Sequence, residues 1–308
     1  MKKIISALFI CVALIVGVSY AQVLKHQTIT PTVHALIGEI GGRTYQNHGL
    51  NANFGFIDTK DGVILIDSGA SYQGAQLIDQ EIQKIAKKKV KWVINTGSQD
   101  HRWLGNDYFS SQGAQIIALS RTVKTQQSLA IAQMDSLRPA LKERLDKTKP
   151  THAKEALMKD DHELTLGGVV VQLKYLDHAH FAGDIVVYLP GDNILFSGDH
   201  IYIDRILGVL PQSDASRWLQ AFSKIEAMKP KVIIPGHGSV TNMTKAKQDT
   251  GDYLNFLVSG CKKYADEMAG VEAAVKNLAK APAFERLANF NDLHLGNVSR
   301  TYLKLESQ

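Results

Sequence analysis

The chain has 308 residues, of which 44% are hydrophobic, 21% charged and 7% aromatic, with 35 Lys and Arg against 30 Asp and Glu. This is the composition of a chain with a sizeable buried core, and it excludes a disordered protein, a collagen-like one and a multi-span membrane protein. A net charge of +5, with no stripe of Lys and Arg interleaved with aromatics, also argues against a nucleic-acid partner.

Met1-Lys2-Lys3 is a short positive head, an apolar run of 15 residues follows from Ile4 to Val18, and Ser19-Tyr20-Ala21 supplies small residues for cleavage. The run falls short of the ~20 residues needed to span a bilayer. Charge, length and cleavage site together predict a secretory signal over 1–21, cut after Ala21. The expected mature protein is one domain, 22–308, periplasmic or secreted and without a membrane anchor. Cys11 leaves with the signal, so Cys261 stands alone and no disulfide can form within the mature chain. Cys261 follows a helical pattern and reads as a small buried hydrophobe.

Further along, 53–59 alternates, Lys60-Asp61-Gly62 makes a turn and 63–66 is an apolar run, which together predict a hairpin. Residues 72–87 carry apolar side chains at helical spacing, and 89–94 reads as the next strand. The later chain repeats this order. Strands are predicted over 169–176, 184–189 and 194–196, a helix over 213–228 capped by Ser213 or Asp214, and a strand over 231–234. Residues 121–149 read as a polar helical insertion. A mostly helical extension runs from about 244, with a break near Gly270, and 284–305 is again helical. Each half must cover one sheet face with helices and bury the other against its partner. The expected fold is therefore an α/β four-layer αββα sandwich with pseudo-two-fold halves. Loops at the carboxyl ends of the strands then meet at one edge, where ligands of open α/β sheets bind.

Five of the 11 histidines (His101, His178, His180, His200 and His237) fall in those loops, together with Asp67, Asp100 and Asp199. Zinc takes three or four imidazole, carboxylate or thiolate ligands, at about 2.0–2.2 Å for N and O. Loops converging on one edge of a rigid scaffold can gather such a set. The glycines flanking His237 let backbone and imidazole approach a shared point. His34, His48, His152, His162 and His294 read as surface or structural. No G-x-S-x-G elbow, Walker loop, G-x-G-x-x-G turn or C-x-x-C occurs.

These segments resemble the metallo-β-lactamase superfamily from about residue 33 to 240. His180-Phe181-Ala182-Gly183-Asp184 is similar to its His-x-x-Gly-Asp, and Leu195 to Asp199 to the loop of its bridging carboxylate. Ile233 to Gly238 is similar to its last histidine loop, and Ile64 to Gly69 to the segment with its early structural Asp, here Asp67. Residues 93–106 stand where the family carries His-x-His-x-Asp-His, and here the pattern departs. Aligned without a gap on Asn95-Thr96 and Gly105-Asn106, Gly97 and Gln99 replace the first two histidines, His101 takes the Asp place and Arg102 the final His. Shifted by one, Asp100-His101 fall on the Asp-His pair, and Thr96 and Ser98 replace the first two. Either way the paired histidines of the first metal position are missing.

The resemblance implies a metal-dependent hydrolase acting on a small molecule, in which metal-bound hydroxide attacks an ester, thioester or amide. The expected ligands are Asp100, His101, His180, Asp199 and His237, around one zinc rather than two, with iron open. Asp100 would also orient the hydroxide. Gln99, His178 and His200 are possible additional ligands, Asp67 would support the site from behind, and Arg102 would bind an anionic substrate. The insertion 121–149 and the loop 201–212 would shape the pocket. Two alternatives stay open: an inactive member that serves as a binding protein, and a β-lactam hydrolase.

Overall fold

A computed structural model describes residues 23–307, and the expected signal segment and its cleavage point lie outside them. The chain is built on two sheets. The first keeps sequence order: β1 (Lys25–Thr28), β2 (Val33–Ile37), β3 (Phe54–Thr59), β4 (Gly62–Ile66), β5 (Val90–Ile94) and β6 (Gln115–Ile117). The second runs β11 (Val232–Ile234), β10 (Ile194–Phe196), β9 (Val186–Leu189), β8 (Val169–Lys174) and β7 (Asp161–Leu166). The helices are α1 (Tyr72–Ile85), α2 (Asp100–Trp103), α3 (Asn106–Ser111), α4 (Ser120–Leu141), α5 (Ala215–Met228), α6 (Met243–Ala246), α7 (Asp252–Asp266), α8 (Val271–Leu278) and α9 (Phe290–Glu306).

The two-residue period of a strand sorts the side chains into layers. In β4, Val63 and Leu65 face outward and pack with Ala75, Ile78 and Ile82 of α1 and Phe109 of α3. Ile64 and Ile66 face inward, into a core shared with Leu173, Val187, Ile194 and Phe196 of the second sheet. Leu195, between two inward residues of β10, points the other way and joins Trp218 and Phe222 of α5, Leu257 of α7 and Tyr302 of α9. This is the four-layer sandwich that the two halves predict. The repeat is also present: β4 pairs parallel with β5 across α1, and β10 pairs parallel with β11 across α5.

Several details differ from the sequence reading. Strands β1 and β7 lack the apolar signal that marks an interior strand, and β6, Gln-Ile-Ile, is only three residues long. β1 is Lys-His-Gln-Thr and β7 begins Asp-His-Glu, because both lie at sheet edges with much of their surface in water. The insertion is one long helix, α4, ending at Leu141. Asp214 rather than Ser213 caps α5, accepting from the Arg217 N–H at 3.1 Å, while Ser213 Oγ donates to the His180 carbonyl at 2.8 Å. The break near Gly270 falls as expected between α7 and α8, where Gly270 has φ 84°. Cys261 is buried, with Sγ 3.5 Å from the Val298 carbonyl, and burial pushes its thiol up to about 12.

The sheets approach closely at Gly55, where a Cβ would lie 2.1 Å from the Phe196 ring. Gly55→Val is therefore expected to lower stability by about 3 kcal/mol through overpacking. Phe196→Leu should recover part of that loss in the double variant. Urea midpoints of the four proteins check this, and additive losses would show that the two positions do not meet.

Candidate metal centre

The strand ends bring the polar loops to one edge of the sandwich. Asp67 follows β4 in the left-handed region (φ 64°), and residues 95–103 follow β5. Asp199 follows β10 in a short 3-10 turn, Gly198–His200, and His237 follows β11. β9 runs antiparallel to β10, so its start, and His180 just before it, lies at the same edge.

Arg102 occupies the middle of this edge and has no exposed surface. Its Nε donates to Asp199 Oδ2 (3.1 Å) and its Nη2 to Asp199 Oδ1 (2.6 Å) and the Gly236 carbonyl (3.1 Å). Nη1 donates to Asp67 Oδ2 (3.0 Å) and the Asn53 carbonyl (3.1 Å). All five guanidinium donors are thus spent inside the protein. Arg102, expected to contact an anionic substrate, has no donor left to offer one. Asp67 also accepts from the backbone N–H and the hydroxyl of Thr96, each at 2.7 Å. Burial still raises the Asp67 carboxyl above its ordinary value, against the pull of Arg102. Burial would raise Asp199 too, but Arg102 and His101 outweigh it and hold that carboxylate well below the usual range.

His101, Asp199 and His237 present ligand atoms that all lie within 4.8 Å of one another. The three residues are 1%, 1% and 3% exposed. His101 Nε2 is 3.2 Å from Asp199 Oδ2, and His237 Nε2 is 3.2 Å from Asp199 Oδ1. Burial holds His237 neutral, its pKa well below the ordinary value despite Asp199. Its Nδ1 sits 2.8 Å from the Asn51 carbonyl, an acceptor only, so Nδ1 carries the single hydrogen. The Nε2 lone pair then faces a carboxylate oxygen. Two acceptors at that distance repel unless a cation joins them, so this pair fits a metal ion.

His101 is set differently. Its Nδ1 lies 2.7 Å from Arg43 Nη2, a donor, which places its own hydrogen on Nε2, toward Asp199. To ligate through Nε2 it would move that hydrogen to Nδ1, where Asp100 Oδ1 is the nearby acceptor at 3.3 Å. Asp100 itself pairs with Arg43, whose Nε donates to it at 2.9 Å. Burial opposes the charge on Asp100, but Arg43 and His101 prevail and bring it down to about 2.

The remaining expected residues lie outside the His–Asp–His group. Asp100 is one side chain removed, behind His101, as the unshifted alignment places it. His180 Nε2 meets Gln99 Oε1 at 3.0 Å, so these two occupy each other. His178 Nε2 bonds the Gln212 carbonyl at 2.7 Å, away from the group. His200 directs Nδ1 to the Ser197 carbonyl at 3.1 Å, and its buried Nε2 has no partner. A cleft of about 260 Å³ opens beside Gln99 and Asp100, walled by Leu129 and Gln133 of α4, Phe181, and Leu210 of the loop after Asp199.

Three further residues shape the site and carried no signal in the sequence. Asn53 Nδ2 donates to the carbonyls of Pro235 (3.0 Å) and Gly238 (2.7 Å), fixing the His237 loop to the first sheet. Tyr202 lays its ring on His237, with centroids 4.6 Å apart and planes at 18°, and its hydroxyl reaches Asp199 Oδ1 at 3.2 Å. Arg43 reaches in from the long loop between β2 and β3. Asn, Tyr and Arg are common in loops, and nothing in their local spacing sets these three apart.

The family model of the metallo-beta-lactamase superfamily matches residues 49–237. The chain belongs to the metallo-beta-lactamase superfamily. It is 28% identical over 208 residues to a metallo-beta-lactamase type 2 of Elizabethkingia meningoseptica, covering 66% of this chain and 75% of that protein. It is 26% identical over 247 residues to a metallo-beta-lactamase of Chryseobacterium indologenes, covering 77% and 92%. The solved metallo-beta-lactamase of Pontibacter korlensis shares the fold, with a TM-score of 0.60 at 22% identity, over 75% of this chain and 99% of that one. Membership in the superfamily implies a divalent metal, and the His–Asp–His group is where this member offers ligands for one.

Two outcomes follow from the site's chemistry. Asp100→Asn keeps the shape of the partner behind His101 but weakens the acceptor, and should lower zinc affinity about 10- to 100-fold by chelator competition; unchanged affinity would show that Asp100 does not orient His101. Burial holds His180 and His200 neutral, each with its pKa at about 4. Unfolded histidine titrates near 6.5, so as pH falls the unfolded chain takes up protons first. Stability is then lost between pH 6.5 and 4, by up to about 3 kcal/mol per group. Urea unfolding at steps across that window should show the slope, and His200→Asn should flatten it. An equal slope in that variant would remove His200 from the account.

Proposed function

We propose that the protein is an exported hydrolase that uses one zinc ion to cleave an ester, thioester or amide in a small molecule. The observation that carries this reading is the neutral His237 imidazole directing its Nε2 lone pair at Asp199, with His101 on the other oxygen of the same carboxylate. A bound divalent ion would polarise a carbonyl and lower the pKa of a water to near neutrality. Two imidazoles and a carboxylate suit zinc and ferrous iron alike. Zinc is preferred because hydrolysis needs no change of oxidation state. A single ion is preferred because Gly97 offers no ligand atom and Gln99 is turned onto His180.

The chain's own residues have separable tasks in this reading. Arg102 keeps Asp199 ionised inside the protein. With a metal on Nε2, Asp100 would accept a hydrogen bond from the outer nitrogen of His101, which orients that ring. Substrate enters over Gln99 and Asp100 between α4 and the loop after Asp199. The Arg43–Asp100 pair stands at that entrance, and water is otherwise kept from the buried group.

Metal analysis after dialysis against zinc tests the reading. One equivalent is expected, and His237→Ala should lose it along with turnover of p-nitrophenyl acetate. A second reading, a binding protein without catalysis, draws support from Arg102, which already neutralises the carboxylate that a metal would share. A protein that takes up no zinc would support that reading instead. The relatives' names make a chromogenic cephalosporin the third assay, and its turnover would identify a β-lactam hydrolase. For export, the N-terminal sequence of protein recovered from the periplasm or medium should begin at Gln22.

A further inference from the structure

The superfamily match ends at His237, so the helices from Met243 onward lie outside it. They are nevertheless joined to the loop that follows Asp199. Between α6 and α7 the backbone widens into a π-helical turn, Lys247–Gly251. Such a turn interrupts the regular spacing of a helix, re-aims its side chains and recurs at functional sites. Here Asp249 and Thr250 are both buried.

Thr250 Oγ1 accepts from the Tyr202 backbone N–H at 3.0 Å and donates to the Tyr202 carbonyl at 2.6 Å. One hydroxyl therefore satisfies both main-chain groups of one residue, as a neighbouring strand would. Asp249 secures the next part of the loop, accepting from the Asp204 N–H at 3.0 Å while Lys245 and Arg286 hold its carboxylate. The clamped residue is the one that meets the metal centre twice, with its ring on His237 and its hydroxyl at Asp199. A Tyr202 backbone free to drift would release the ring and the hydroxyl together. Tertiary packing alone would not require a hydroxyl at 250, since an apolar side chain of the same size would fill the space.

We propose that Thr250 is a positioning residue for Asp199 and His237, acting through Tyr202, which makes the C-terminal helices a working part of the metal centre. The zinc readout of this inference rests on the hydrolase reading; the placement of the imidazole does not.

Thr250→Val keeps the size and removes both hydrogen bonds. Zinc affinity should fall about tenfold or more, in the range seen when support behind a ligand is lost. In the metal-free protein, the His237 imidazole signals in nitrogen-correlated NMR should move. Thr250→Ser should restore both. Leu257→Ala, seven residues beyond Thr250 in the core of α7 and outside the Thr250 hydrogen bonds, should lower the unfolding midpoint and leave both unchanged. The inference is overturned if Thr250→Val matches the wild type in both readouts, or if Leu257→Ala disturbs them equally. Should the wild type bind no zinc, the hydrolase reading fails, and the His237 signals alone decide this one. If Thr250→Val does not fold, Tyr202→Phe tests the path from the other end. It keeps clamp and stack and deletes the contact to Asp199, so zinc affinity and the Asp199-facing His237 signal should both change. No change in either would overturn the inference.

Discussion

The guanidinium of Arg102 is the contact on which the polar edge of this protein depends. It binds Asp67 and the Asn53 carbonyl from the first half of the chain, and Asp199 and the Gly236 carbonyl from the second. Truncating it would strand two buried carboxylates without a partner, a change that costs about 3–5 kcal/mol when one member of a buried pair is removed. The same contact decides the electrostatics of the site. A carboxylate as deeply buried as Asp199 stays ionised chiefly because a fixed cation touches both of its oxygens, with His101 adding to the effect. In the unshifted alignment Arg102 stands where the superfamily motif ends in a histidine, so a permanent charge meets Asp199 at that step.

That substitution explains how much of the molecule was legible in its sequence. The sandwich could be read because β4, β5, β10 and β11 are largely apolar runs closed by polar, Gly-containing loops, and because the strand–helix–strand unit occurs twice. The edge strands β1 and β7 could not, since water on one side removes the hydrophobic signal, and β6 is too short to show a period. Loop histidines marked the right edge of the fold. Their grouping was another matter. Residues 96–102 admit two registers, and neighbouring residues in a tight turn point in different directions. His101 faces Asp199 while Asp100 faces Arg43, a choice made by the geometry of α2 and not by composition. Asn53, Tyr202 and Thr250 act through backbone atoms and ring faces, which leave no pattern in a string of letters.

The two nitrogens of the two central imidazoles divide their work in opposite ways. His237 commits its hydrogen to a main-chain carbonyl and leaves its inner nitrogen bare. His101 is approached from outside by Arg43 and keeps its hydrogen inside. A cation entering the group would find one ligand ready and one that must first change tautomer, with Asp100 as the receiving neighbour. Binding and proton movement are thus linked through Arg43, Asp100 and His101, and the loop between β2 and β3 is part of that linkage.

Cys261 has a consequence for where such a protein can work. Its sulfur is enclosed by α7 and α9, and with a thiol near 12 almost none of it is thiolate at neutral pH. Thiolate is the form that attacks disulfides and reacts with peroxide. The side chain is therefore chemically silent toward oxidants and toward cysteines of other molecules. At this cysteine the fold needs neither a reducing environment to protect it nor an oxidising one to complete a disulfide.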